Sequence, residues 1–204
     1  KTIDDGGGRF LVHLGDIDDG KPVSGELYSQ CPESVYSKIS NIFESSPLPT
    51  FFIPGDNTWV DCADVEDAYY NWNKHLFHYN ERTDLNWPAL NTKVYRDHPI
   101  RHELFAFFLK DTLFLGLSLP GGARNFRQFS DGTRSSSDRA QLHRDNKEWT
   151  RRWFEEYPRD EIKAVVVFAH DSTGSANRPY WSWFAKFIQG DDNGIVGKDY
   201  TNVN

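Results

Sequence analysis

Three segments of this chain share one pattern: a short apolar run that ends in a hard ligand atom. Phe10-Leu-Val-His-Leu14 runs into Gly15-Asp16, Phe51-Phe-Ile-Pro54 runs into Gly55-Asp56-Asn57, and Ala164-Val-Val-Val-Phe-Ala169 runs into His170-Asp171. Each reads as a buried strand with a carboxylate or an imidazole just past its carboxyl end. In α/β folds that edge of the sheet is where ligands bind. Two carboxylates and an imidazole together suit a divalent metal ion. Asp16, Asp56 and His170 are therefore the metal-ligand candidates. A Gly-Asp pair is also an ordinary turn, and Asn after Pro-Gly is favoured by turn geometry alone. A lone histidine beside an apolar strand is more often structural. The recurrence of the pattern at three strand ends favours the ligand reading. Asn57 adds an amide that can donate to a phosphoryl oxygen. His13 lies two residues before Gly15 and by alternation shares its side, where it can support the ligands from outside.

The length of 204 residues fits one domain, 1–204, with a substantial core. Hydrophobic residues make up 38% and aromatics 15%, so an aromatic-rich core is expected. A formal net charge of −7 argues against a nucleic-acid backbone as partner. It leaves room for a small phosphate ester, because a local metal or arginine cluster overrides the global sign. The longest apolar runs, 113–119 and 164–169, are too short to span a bilayer. There is no methionine, and the chain opens on Lys1-Thr-Ile-Asp-Asp-Gly-Gly-Gly8. The expectation is a processed protein or a fragment, incomplete at both ends. Cys31 and Cys62 flank the second motif. Two buried free thiols and a disulfide are both open; we expect the disulfide, because no other cysteine competes. It would imply an oxidising compartment and a secreted or extracytoplasmic protein.

Strand and helix patterns alternate along the chain. Strands are expected at 9–14, 50–53 and 162–169, with a hairpin of 103–109 and 112–119 around Lys110-Asp111. Helices are expected at 32–45, 63–78, 137–157 and 180–188, and irregular loops at 79–101 and 121–138. The mixture predicts an α/β sandwich with a mixed sheet. Arg124 and Arg127, with Arg134 and Arg139, are guanidinium candidates for phosphate oxygens, against the plain reading of a solvated loop. The seven tryptophans read as core and interface residues before they read as a binding platform, and an aromatic surface offers a route to self-association.

The residues around the first two motifs resemble the calcineurin-like metallophosphoesterase superfamily. Gly15-Asp16 with Asp19 matches its Gly-Asp-x-x-Asp block, Gly55-Asp56-Asn57-Thr58 is a variant of its Gly-Asn-His-Glu/Asp block, and His170 matches its lone histidine. One branch is closer still, on Cys31-Pro-Glu-Ser-Val-Tyr36 and Gly55-Asp-Asn-Thr-Trp-Val-Asp-Cys62. The resemblance covers roughly 10–170 and implies a metallophosphoesterase-like αββα sandwich with mixed sheets. It implies two divalent metal ions of Fe, Zn or Mn type and hydrolysis of a phosphate mono- or diester. Asp16 would bridge the metals, Asp56 would stand in for a ligand asparagine, His170 would ligate one ion, and Asp19 would support them. Asn57 occupies the place of a catalytic histidine and Thr58 that of an acidic residue. The Asp-x-His and Gly-His-x-His blocks of the superfamily are absent from these residues. The alternative expectation is a non-catalytic relative serving as a binding or structural part of an extracellular assembly.

Overall fold

The computed structural model describes residues 7–18, 24, 26, 28–121, 139–157, 161–171 and 176–190. The chain divides into two compact units, Lys1–Asn91 and Thr92–Asn204.

In the first unit, strand β1 (Leu11–His13) pairs in parallel with β2 (Thr50–Phe52), and His13 faces Phe52 in register. Parallel neighbours need a crossover, and helix α1 (Glu33–Phe43) lies in it. The helix buries Tyr36 and Ser40 and packs Val35, Ile39 and Phe43 against the core. Ile42 stays 53% exposed, because the 3.6-residue period turns it away from the Ile39–Phe43 stripe. Helix α2 (Val65–His75) starts where the carboxylates predict a start. Asp64 is its cap, accepting the Glu66 and Asp67 backbone N–H groups at 3.0 Å each. A 3₁₀ turn, Tyr79–Glu81, follows within the expected loop 79–101. Phe52, Tyr36, Trp72, Leu76 and Tyr79 form the core of this unit.

Cys31 and Cys62 are joined by a disulfide with Cα atoms 5.6 Å apart. It ties the residue just ahead of α1 to the segment after the second motif. Beside it, Ser29 bridges Cys62 as a short parallel pair, and the Tyr36 hydroxyl donates to the Thr58 carbonyl at 2.8 Å.

The second unit contains a four-stranded mixed sheet in the order β3 (Val94–Tyr95), β4 (Phe105–Leu109), β5 (Thr112–Gly116), β6 (Ala164–Phe168). The first two pairings are antiparallel, and β5–β6 is parallel. The β4–β5 hairpin turns at Lys110, whose φ of 57° is left-handed. Strand β3 falls inside the loop expected at 79–101; two residues are too few for an alternation pattern to register. Helix α3 (Arg139–Glu156) crosses from β5 to β6, burying Leu142, Trp149, Trp153 and Phe154. Helix α4 (Arg178–Ile188) begins two residues earlier than the aromatic pattern indicates, because Pro179 fits the first turn of a helix. Gly116 lies across from Phe105 in the β4–β5 register, and a Cβ there would run into the Phe105 ring.

The chain is thus mixed α/β. Among the described residues no helix is long and apolar enough to cross a membrane. Trp59, Trp72, Trp149 and Trp153 are buried, as core residues should be.

The disulfide closes a span of 31 residues. Replacing both cysteines with alanine should cost about 2–4 kcal/mol of unfolding free energy, since the cross-link restricts mainly the unfolded chain. Chemical denaturation of the double variant beside the oxidised protein measures this; a loss well below 1 kcal/mol would show that the neighbouring hydrogen bonds hold the segment alone.

Candidate metal centre

The first two motifs meet because their strands pair. Register carries His13 to Phe52, and the ladder continues one step further as the Ile53 N–H donates to the His13 carbonyl at 2.9 Å. Beyond that point both chains turn sharply. Gly15 adopts φ 93° and Asp16 φ 52°. Glycine enters the left-handed region freely, and aspartate is among the few other residues that tolerate it. The strained turn presents an exposed Asp16 side chain.

The second turn is closed by Thr58. Its buried hydroxyl accepts from the Gly55 N–H at 3.0 Å and donates to the Gly55 carbonyl at 3.2 Å. Backbone N–H groups of Trp59 and Asp61 fold back onto the Asp56 carbonyl at 3.2 and 2.9 Å. The Asp56 side chain is left partly exposed beside Asp16, and the two carboxylates have oxygens within 4.8 Å of each other.

Asn57 joins them. Its backbone N–H is shared between Asp16 Oδ1 at 3.2 Å and Asp56 Oδ1 at 2.9 Å, and its side-chain Nδ2 donates to Asp16 Oδ2 at 3.3 Å. Two like charges this close raise each other's energy, and donated hydrogens offset part of that. The donor set that remains, two carboxylates on adjacent turns, is oxygen-rich and suited to a hard cation.

His13 lies with its ring against Phe43 and Phe52, centroids 5.6 and 5.5 Å away. Its side chain therefore packs into the aromatic core beneath the turn. Asp18 accepts the Ser29 hydroxyl at 3.0 Å, linking the first turn to the segment ahead of Cys31. Asp19, Arg124, Arg127 and Arg134 lie outside the described residues. Arg139 is tied down: it donates to the Pro120 carbonyl at 3.2 Å and the Gly121 carbonyl at 3.3 Å, so it holds a loop.

In the second unit His170 follows β6 by two residues, with its side chain partly exposed. The strand end is fixed on both sides: the Leu117 N–H donates to the Phe168 carbonyl at 2.9 Å, and the Asp171 N–H donates to the Leu119 carbonyl at 3.2 Å. His170 thus occupies the strand-end position that the sequence assigns it.

Compared with known protein families, characterised proteins and solved structures, the chain shows no significant match.

A second polar cluster, unmarked in the sequence, borders a cavity of about 270 Å³ lined by His98, Ile100, Glu148, Trp149 and Arg152. Behind it the Arg101 guanidinium donates to Asp145 at 2.7 Å, with both side chains buried. His98 Nδ1 accepts the backbone N–H groups of Ile100 and Arg101 at 3.2 and 2.9 Å, so the neutral ring carries its proton on Nε2. Burial pushes the His98 pKa down, outweighing the opposing pull of Asp145, Glu103 and Glu148, while Arg101 adds to the depression. The unfolded chain then binds a proton more readily than the folded one. Stability from this group is full above the ordinary histidine range near pH 6.5 and falls as pH drops below it. His98→Asn keeps an acceptor for the two N–H groups but cannot ionise. Thermal midpoints measured from pH 7.5 to 5 should fall less steeply in the variant; an unchanged slope would remove His98 from the acid response.

Proposed function

We propose that Asp16 and Asp56 hold a divalent cation, that His170 is a metal ligand, and that the chain belongs to a metal-dependent phosphoesterase acting on a small phosphate mono- or diester. The observation that carries the reading is the carboxylate pair: Asp16 and Asp56 lie within 4.8 Å on the turns of two hydrogen-bonded parallel strands. An imidazole at a third strand end is the complement such a pair calls for. The mixed α/β content and the three strand-end motifs support a metallophosphoesterase-like αββα sandwich with mixed sheets. The disulfide supports an oxidising, extracytoplasmic setting.

A bound cation would supply charge stabilisation to a phosphoryl group and a more acidic coordinated water. The chain's own residues do the rest. Asp16 and Asp56 hold the charge in place, the Gly15-Asp16 turn sets their approach, and Asn57 fixes Asp16 through two donated hydrogens. Asn57 cannot serve as a general acid, since an amide has no proton to give near neutral pH. Its contribution is orientation of Asp16 and, with the carboxylate occupied by a cation, hydrogen-bond donation to a phosphoryl oxygen.

One observation favours the second reading, a non-catalytic binding or structural module. The Thr58 hydroxyl is spent on closing the Gly55 turn, and the Asn57 amide is engaged with Asp16. Two positions that carry chemistry in the resembled superfamily serve structure here. Three ligands also fall short of a two-metal centre, and the superfamily's remaining ligands belong to the Asp-x-His and Gly-His-x-His blocks.

The test is a titration of the 204-residue chain with Mn²⁺ and Zn²⁺, beside Asp16→Ala, followed by an assay on a generic aryl phosphate. The reading predicts a metal-dependent rise in thermal midpoint that Asp16→Ala abolishes, with turnover near background because so few ligands hold a cation weakly. Robust turnover abolished by Asp16→Ala would show that these residues suffice for catalysis. Absence of any metal effect would remove the enzymatic reading and leave the binding module.

A further inference from the structure

Asn177 carries no motif, yet its side chain is bonded to several segments at the strand ends of the second unit. It is fully buried, directly ahead of α4. Its backbone carbonyl accepts the N–H groups of Tyr180 and Trp181 at 3.0 and 3.2 Å, which starts the helix. An asparagine in this position ordinarily turns its side chain onto the same helix. Here the side chain makes no capping bond and points elsewhere.

Its Nδ2 donates to three acceptors: the Leu119 carbonyl at 3.2 Å, the Pro120 carbonyl at 3.0 Å and Asp171 Oδ2 at 2.9 Å. An amide nitrogen has two hydrogens, so one is shared. Its Oδ1 accepts from His143 Nε2 at 3.0 Å and, more distantly, from Arg139 at 3.5 Å. The amide orientation is therefore determined, because reversal would set oxygen against three oxygens. One side chain thus joins the loop after β5, the turn after β6, helix α3 and the start of α4.

The turn after β6 is the His170-Asp171 turn. Asp171 is held at two points, its N–H on the Leu119 carbonyl and its carboxylate on Asn177. The backbone of His170 is fastened between these points and β6. We propose that Asn177 is a positioning residue for the His170 imidazole, acting through the Asp171 carboxylate to hold the ring in place before a cation arrives. The inference rests on the reading of His170 as a metal ligand. Groups that orient ligands from outside typically change metal affinity by about 10–100-fold when removed.

The experiment uses the 204-residue chain as wild type, Asn177→Ala, Asp171→Ala and Asp171→Asn. Three quantities are read: Zn²⁺ affinity by calorimetry, amide hydrogen exchange at Asp171, and the ¹⁵N signals of the His170 ring in metal-free protein. Asn177→Ala and Asp171→Ala should each weaken Zn²⁺ binding by about 10–100-fold and shift or broaden the His170 ring signals. Asp171→Asn should restore both to near wild type, since its amide oxygen still accepts the Asn177 hydrogen; a purely structural role would give no such rescue. Asp171→Ala keeps the experiment decisive if Asn177→Ala does not fold, because the Asp171 side chain is partly exposed where Asn177 is fully buried.

If wild type binds Zn²⁺ and both alanine variants retain it within about threefold, the positioning role is overturned. If wild type binds no Zn²⁺, it is the metal reading of His170 that fails. The His170 ring signals and Asp171 exchange then decide the positioning claim by themselves: disturbed by both alanine variants and restored by Asp171→Asn, it stands; undisturbed, it falls.

Discussion

The parallel pairing of β1 with β2 forces two acidic turns to share one edge. Side-chain alternation and register leave no freedom at that edge: with His13 opposite Phe52, the Gly15-Asp16 and Gly55-Asp56 turns must emerge together. Two carboxylates are then held with oxygens within 4.8 Å. At such a distance their repulsion is about 1 kcal/mol at water's dielectric and larger as solvent is excluded. Much of the first unit can be understood as support for that arrangement. Thr58 closes the second turn, Tyr36 pins the Thr58 carbonyl, and the disulfide anchors the segment that follows. The Asn57 N–H, shared between both carboxylates, supplies charge relief from within the turn itself. A bound cation is the larger relief that the geometry invites.

The second unit solves its strand-end problem with neutral amides. Asn146 Nδ2 donates to the Ser118 carbonyl at 2.8 Å, while its Oδ1 accepts the Ser118 N–H at 3.0 Å, so one side chain completes a ladder that the sheet leaves open beyond β5. Asn177 performs the corresponding task one step later. Both amides are fully buried, where an unsatisfied donor or acceptor would cost about 1–3 kcal/mol. Rigid loops at a sheet edge are what a ligand site requires, because a side chain is only as well placed as the backbone beneath it.

Much of this was legible in the sequence where periodicity or chemistry is strong. The alternation of strands and helices, the hairpin at Lys110-Asp111 and the Asp-rich start of α2 follow from local pattern, and the pairing of the two cysteines from the absence of a competing third. The Gly-Asp strand ends were visible for the same reason: a glycine and an aspartate after an apolar run leave few other structures open. What stayed hidden depends on contacts distant in sequence. Strand β3 is too short to show alternation. The engagement of Asn57 with Asp16 spans 41 residues, and Asn177 reaches Leu119 across 58. Asn177 did carry a trace, an asparagine two residues ahead of a proline at a helix start. That signal predicts a cap, and the side chain was used for the loops instead. Arg139 reads as a phosphate candidate by charge alone, yet carbonyls of Pro120 and Gly121 claim it.

The central claim is that the Asp16–Asp56 carboxylate pair is a cation site. Crystals of the 204-residue chain soaked in Mn²⁺ test it directly through anomalous scattering. The account predicts a strong anomalous peak with Asp16 and Asp56 oxygens at about 2.0–2.6 Å. An edge free of anomalous signal at saturating Mn²⁺ would contradict it.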